Sequence, residues 1–267
     1  MASNTKQLRN RIKSVNSTLH LTKAMGLVAS SKIRKATDAM LKSRQYLEAV
    51  EDVIDSVISS PECKKSPYVN DNNAKSTKII VIAGDRGLAG GYNANVFRLA
   101  KEYPNAEFIP IGKRSGDRFE KDAPYAEGFG YDDAMTLAKT LCMGFANGEY
   151  ASLGIISTKY VSMLTQEAQY TRILPFKATE NHKKTSTVFE PNEAVILETA
   201  ITEYVAALIV KSVKESFACE VAARRNAMDS AGKNAEEMIE NLSLEYNRAR
   251  QGAITQELTE IVAGSGA

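Results

Sequence analysis

The chain has no tryptophan, only two histidines and only three cysteines among its 267 residues. His20 and His182 lie in distant segments, which argues against a histidine-based catalytic triad. Cys63, Cys142 and Cys219 are odd in number and far apart. That pattern gives no disulfide framework and fits a reducing compartment. Metal binding needs clustered ligands, which this spacing does not supply. No apolar run reaches the ~18–20 residues that span a bilayer, so no direct membrane insertion is expected. The first residues, MASNTKQLRNRIKS, lack the apolar core of a secretory signal. Net charge is +2, and the ordinary apolar fraction indicates a globular chain rather than a disordered one.

Proline is absent from both ends. All seven prolines fall between Pro61 and Pro191. Proline removes a backbone donor and clashes with the preceding turn, so it breaks helix interiors. Residues 1–60 and 192–267 are therefore free to form long helices, and the middle, 75–190, is not. In the first segment, Leu8, Ile12, Val15, Leu19, Thr22, Gly26, Ala29, Ile33, Ala36, Met40, Ser43, Leu47, Val50, Ile54 and Val57 alternate spacings of four and three. This is the 3.5-residue repeat of a left-handed coiled coil. Asn4 or Thr5 is the expected N-cap. At 1.5 Å per residue the helix would be roughly 80 Å long.

In the last segment, Phe217, Val221, Arg224, Met228, Ala231, Ala235, Met238 and Leu242 keep the same spacing. The stripe then drifts through Tyr246 and Ala249 to Ile254, Leu258 and Ile261. Gly232 and Gly252 interrupt it, each costing about 1 kcal/mol against alanine. Both segments join one middle domain by opposite ends, so if they pair they run antiparallel. The second is longer, and its far end is expected to extend alone.

The middle reads as α/β. Lys78–Ala83, Ala106–Gly112 and Ala151–Thr158 are strand signals; Ala94–Tyr103 and Asp132–Asn147 are helix signals, the latter capped by Asp132 or Asp133. Alternating strands and helices predict a small, Rossmann-like, mostly parallel sheet. Residues 61–77 read as a loop, and 159–190 offer a further strand or hairpin.

The glycine-rich run Gly84–Asn93 follows a strand and precedes a helix, where phosphate-binding loops sit. It matches neither nucleotide fingerprint and has no Lys or Ser/Thr to complete a P-loop. It is read as a tight turn with special backbone angles, so no cofactor is expected. The carboxylates Glu236, Glu237 and Glu240 share a helical face and read as solvated.

Acid is missing from the first 37 residues. That stretch carries Lys6, Arg9, Arg11, Lys13, Lys23, Lys32, Arg34 and Lys35. A block of one sign on an exposed helix points to an anionic partner: nucleic acid, anionic lipid or an acidic protein loop. No aromatic residue precedes Tyr46 to stack on bases, which favours an acidic protein surface. The alternatives are a coiled-coil scaffold or nucleic-acid-binding protein with an α/β head, and an α/β enzyme, which the missing motifs oppose.

Three runs resemble one family. Ile12-Lys13-Ser14-Val15 with Leu21-Thr22-Lys23-Ala24-Met25 and Val28-Ala29 looks like the opening signature of gamma subunits of F-type ATP synthases. Asp85-Arg86-Gly87-Leu88 with Gly90-Gly91-Tyr92-Asn93 resembles that family's middle motif. Tyr246–Gln251 followed by Ile254–Gly264 resembles its C-terminal signature. The resemblance implies a non-catalytic rotor shaft, an antiparallel coiled coil inside a ring of alpha and beta subunits. Its head would meet the epsilon subunit and the ring of c subunits, with no nucleic acid partner. It implies beta-subunit contacts at Lys23, Met25, Arg224, Gln251, Thr255 and Glu257, and c-ring or epsilon contacts at Phe189 and Glu190. Gly26 departs from the larger residue usual after Met25, which would soften the shaft locally. Ala89 stands where many members have cysteine. The short middle lacks a regulatory dithiol insert, which argues against a chloroplast protein. The absence of a clear transit peptide favours a bacterial one at the cytoplasmic face of the plasma membrane.

Overall fold

A computed structural model of the chain describes residues 2–58, 63–72, 74–176 and 193–265. The elements are α1 (Ala2–Ile58), β1 (Thr77–Ile82), α2 (Tyr92–Ala100), β2 (Ala106–Ile111), α3 (Lys113–Phe119), α4 (Tyr131–Ala146), β3 (Ser152–Tyr160), β4 (Gln166–Leu174) and α5 (Glu193–Ser265). They form two compact units. One comprises Met1–Ser30 with Arg224–Ala267, and the other Ser31–Ala223. Each long helix contributes to both.

In the larger unit the sheet order is β2-β1-β3-β4. β1 pairs in parallel with β2 and β3, and β4 runs antiparallel to β3. The mostly parallel sheet is as expected, and β4 is the further strand expected after residue 159. Successive side chains of a strand point to opposite faces. Ile79 and Val81 therefore join Ile156 under α2, against Val96 and Ala100. Ile80 and Ile82 face the other way and join Ile155, Phe145 of α4, Ile54 of α1, and Leu197, Ile201 and Val205 of α5 in the main core. All are fully or nearly fully buried.

Local chemistry explains most boundaries. The N-cap of α4 is Gly130, not Asp132 or Asp133 as expected; Asp133, one turn in, accepts the Gly130 N–H at 2.9 Å, the only half of a capping box that a glycine N-cap allows. A single 3₁₀ turn, Cys63–Lys65, interrupts the loop before β1. The short α3 has no periodic apolar signal and was not expected. It follows Gly112, whose φ of 92° and close approach to Ala83 O, 2.0 Å from where a Cβ would stand, admit only glycine. Glu203 of α5 accepts hydrogen bonds from Tyr46 of α1 and Tyr131 of α4, so three helices share one carboxylate.

The smaller unit is an antiparallel helix pair. Lys23 faces Glu236, Gly26 faces Met228, and Leu19 and Thr22 face Gly232. Leu8 through Ala29 on the expected seam are all buried or half-buried, and the same holds for Ile33 through Val57 in the larger unit. Two details differ from expectation. α1 is already helical at Ala2, so neither Asn4 nor Thr5 caps it. On α5 the seam runs through Met228, Gly232, Ala235, Ile239, Leu242 and Tyr246, whereas Met238 is exposed. The expected and observed seams share Met228, Ala235, Leu242 and Tyr246; between them Gly232 is buried beside a half-buried Ala231, and Ile239 takes the place of Met238. Gly232 carries no apolar side chain to mark its position, and Met238 and Ile239 are both apolar, so apolarity alone did not choose between them. From Ile254 to Ser265 every residue is exposed, as expected for the longer helix.

Candidate coupling surfaces

Two places carried functional expectations: the glycine-rich turn after β1 and the exposed residues of the helix pair. The turn holds Leu88 at φ 61° and Gly90 at φ 57°, so its special backbone angles are real. The side chains of Asp85 and Asn93 are spent internally. Asp85 Oδ1 accepts the N–H groups of Lys113 at 3.1 Å and Ala126 at 2.8 Å, and its Oδ2 accepts that of Glu127 at 2.9 Å. Asn93 Oδ1 accepts the Gly84 N–H at 2.9 Å. Asp85, a carboxylate of the chain itself, thus takes the converging N–H groups of the loops around this turn. On the far side, a Cβ at Gly84 would stand 2.7 Å from the carboxyl carbon of Glu220, so the turn also lies hard against α5. It is a structural junction, as the missing P-loop residues suggested. The sequence signal for Asp85 was the motif itself, but its three acceptor contacts come from residues far along the chain.

Thiol chemistry is equally disfavoured. All three cysteines are buried. Burial pushes the Cys142 thiol up to about 11 and raises Cys219 further still. Only the thiolate is a nucleophile, and at neutral pH Cys142 and Cys219 are protonated. Among the described residues no group of three or more His, Cys, Asp or Glu is placed to hold a metal, and no helix is long and apolar enough to cross a membrane.

The helix pair displays most of the residues singled out for partner contact. Lys23 is exposed and pairs with Glu236 at 2.7 Å. Met25 and Arg224 are half-buried. Gln251, Thr255 and Glu257 are exposed, and the Thr255 hydroxyl donates to the Gln251 carbonyl one turn back at 3.0 Å. They share that terminal stretch with Ile254 and Leu258, which are 48% and 58% exposed. Lys6, Arg9, Arg11 and Lys13 are exposed as well. Lys32, in the larger unit, pairs with Glu127. Phe189 and Glu190 lie outside the described residues.

Two long helices from the chain ends with an α/β domain inserted between them define a stalk-type subunit. Comparison with known proteins gives the family. A profile for ATP synthase matches residues 4–267. The ATP synthase gamma chain of Ruminococcus albus is 41% identical, over 98% of each chain. The sodium-ion-specific ATP synthase gamma chain of Acetobacterium woodii is 37% identical, over 100% of this chain and 99% of the relative. A solved structure of Euglena gracilis mitochondrial ATP synthase, comprising OSCP, F1 and c-ring, contains a chain with the same fold. Its TM-score is 0.71 at 15% identity, covering 100% of this chain and 95% of that one. The chain belongs to the ATP synthase family, among the gamma chains of the F-type enzyme that form its central stalk.

Proposed function

We propose that the chain turns as a shaft inside a ring of alpha and beta subunits and couples ion flow across a membrane to ATP synthesis and hydrolysis in that ring. Residues 1–60 and 192–267 supply the shaft. Residues 75–190 supply the head, which meets the epsilon subunit and the ring of c subunits. The observation that carries this reading is the end-to-end match to gamma chains at 41% identity. The chain itself is non-catalytic and holds no cofactor. The self-satisfied turn at Asp85 and the protonated thiols support that. It sits peripherally, at the cytoplasmic face of a bacterial membrane.

Lys23, Met25, Arg224, Gln251, Thr255 and Glu257 are its contacts with beta subunits. Phe189 and Glu190 are its contacts with the c ring or epsilon. The basic start of α1 supports an acidic loop as the partner of Lys23 and Met25. Asymmetry between the shaft's faces is what makes rotation useful: each beta subunit meets different contacts and takes a different state.

The direct test is to isolate the tagged chain from its native membranes. Recovery of alpha, beta and epsilon subunits in a complex that hydrolyses ATP is expected. A chain recovered with nucleic acid and no ATPase would return the scaffold reading. At finer grain, Met25→Lys adds a cation beside the acidic loop. It is expected to tighten that contact and to lower the ions pumped per ATP. Unchanged ATP-driven pumping in the variant complex would remove Met25 from the contact.

A further inference from the structure

β3 is longer than the strand beside it. β1 pairs with β3 only from Ser152 to Ile156, whereas β4 follows β3 out to Tyr160. Past Ile156, one flank of β3 has lost its strand partner. Backbone groups on that flank need other partners, because a buried amide without one is costly. Helix side chains supply them. Ser216 Oγ of α5 accepts the Thr158 N–H at 3.1 Å, and Cys219 Sγ donates to the Thr158 carbonyl at 3.5 Å. Glu215 Oε1 accepts the Tyr160 N–H at 3.0 Å, and Arg44 Nη2 of α1 donates to the Tyr160 carbonyl at 3.5 Å. Arg44 also pairs directly with Glu215, and Lys211 holds the other carboxylate oxygen at 2.8 Å. One turn of α5 thus stands in for a strand, and α1 is tied to the same residue of β3.

The carboxylate at the centre is almost wholly buried, with its side chain 3% exposed. Burial alone would push it up. The hydrogen bonds from Lys211, the Tyr160 N–H and Arg44, with the charge of Lys211, outweigh that and hold it below its ordinary value. It is therefore charged, paired on both oxygens and fixed in direction. The apolar packing of α5 on the sheet is different in kind. It resists separation but is non-directional, and so resists sliding poorly. Directed, charge-assisted hydrogen bonds fix register.

We propose that Arg44, Glu215 and Ser216 form a torque clamp: they lock the end of β3 to both long helices, so that twist in the helices is passed to the head sheet without slip. The proposal rests on the rotor reading. These are positioning residues; none touches nucleotide or ion.

The test uses the complete enzyme in membrane vesicles, fed ATP, with a potential-sensitive dye that reports transport of either cation. Glu215→Gln keeps the size and an acceptor for Tyr160 but removes the charge facing Arg44 and Lys211. Arg44→Met removes the link to α1. Each is expected to leave ATP hydrolysis within about twofold of the parent, since an order of magnitude would need a 1.4 kcal/mol change in barrier. Each is expected to lower the potential generated per ATP by threefold or more. The double variant should fall no further than the worse single, because both side chains act as one cluster on Tyr160. Ser216→Ala, which removes a single acceptor, should give a smaller loss and carries the test if Glu215→Gln does not assemble. An unchanged ratio of transport to hydrolysis in these variants, additive losses in the double, or parallel loss of hydrolysis and transport overturns the clamp. Failure of the unaltered chain to support any ATP-dependent potential would instead overturn the rotor reading.

Discussion

The two units solve the same problem with opposite materials. In Ser31–Ala223, large side chains fill the space between sheet and helices: Ile80, Ile82, Phe145, Ile155 and Ile201 are each at most 1% exposed. In the other unit, the helices meet over Ala29, Gly26, Gly232 and Ala235, and the deepest large side chains are Leu242 and Met228 at 5% and 6%. A core of that kind stabilises by burying apolar area. A thin pair of helices buries little, and most of its surface stays free for other chains. The contrast separates a part with a core of its own from a part that is expected to gain most of its stability from partners.

The comparison breaks most sharply at Gly112. Gly112→Ala places a Cβ against the Ala83 carbonyl at a φ of 92°. A loss of about 3 kcal/mol or more is expected, read as a lower urea midpoint for the larger unit. A smaller effect, again in that unit, comes with pH. Glu215 sits below its ordinary value of 4.5 in the folded chain. Its contribution is thus fully present above pH 4.5 and is lost as pH falls through the lowered folded value. The urea midpoint of Glu215→Gln should accordingly converge on that of the parent as the pH is taken below 4.5. A constant gap from pH 7 to pH 3 would contradict the pairing.

In the helix pair the same kind of substitution has the opposite sign. A Cβ at Gly26 would stand 3.6 Å from Met228 Cβ, and one at Gly232 would stand 3.8 Å from Thr22 Oγ1, both ordinary contacts. Gly26→Ala and Gly232→Ala should each stabilise the pair by about 0.5–1 kcal/mol. Slower amide exchange around Gly26 and Gly232 is the readout, and faster exchange would show that close approach matters more than helix propensity. The smallest effect belongs to Lys23. Its pair with Glu236 is half exposed, so Lys23→Ala is expected to change the stability of the isolated chain by less than about 0.5 kcal/mol. A larger loss would mean that the pair holds the helices together rather than facing a partner.

The same contrast explains what was legible in the residues. Helix periodicity is local, so the 4-3 seam of α1 appeared in full, and proline positions bounded both long helices. Strands β1, β2 and β3 stood out as apolar runs and matched to within one or two residues. The α5 seam departed from expectation at Gly232, which holds its position without apolar character, and at Ile239, which apolarity does not distinguish from the exposed Met238. α3 escaped notice because it is a short helix set by Gly112 rather than by a periodic stripe. The clamp was invisible for a different reason. Arg44, Tyr160 and Glu215 are far apart in sequence, so no local pattern brings them together. Its one hint was a carboxylate within a stretch of α5 that is apolar on nearly every side. Asp85 fell between these cases: its motif was evident, but its three N–H donors come from segments well beyond the turn.

The central claim is that this chain turns. The most direct measurement assembles it with alpha and beta subunits, fixes the ring to a surface and attaches a bead to the head through a cysteine introduced at the exposed Asp122, as Asp122→Cys. With ATP supplied, the account predicts continuous rotation of the bead in one direction. ATP hydrolysis by the assembled complex with a stationary bead would contradict it.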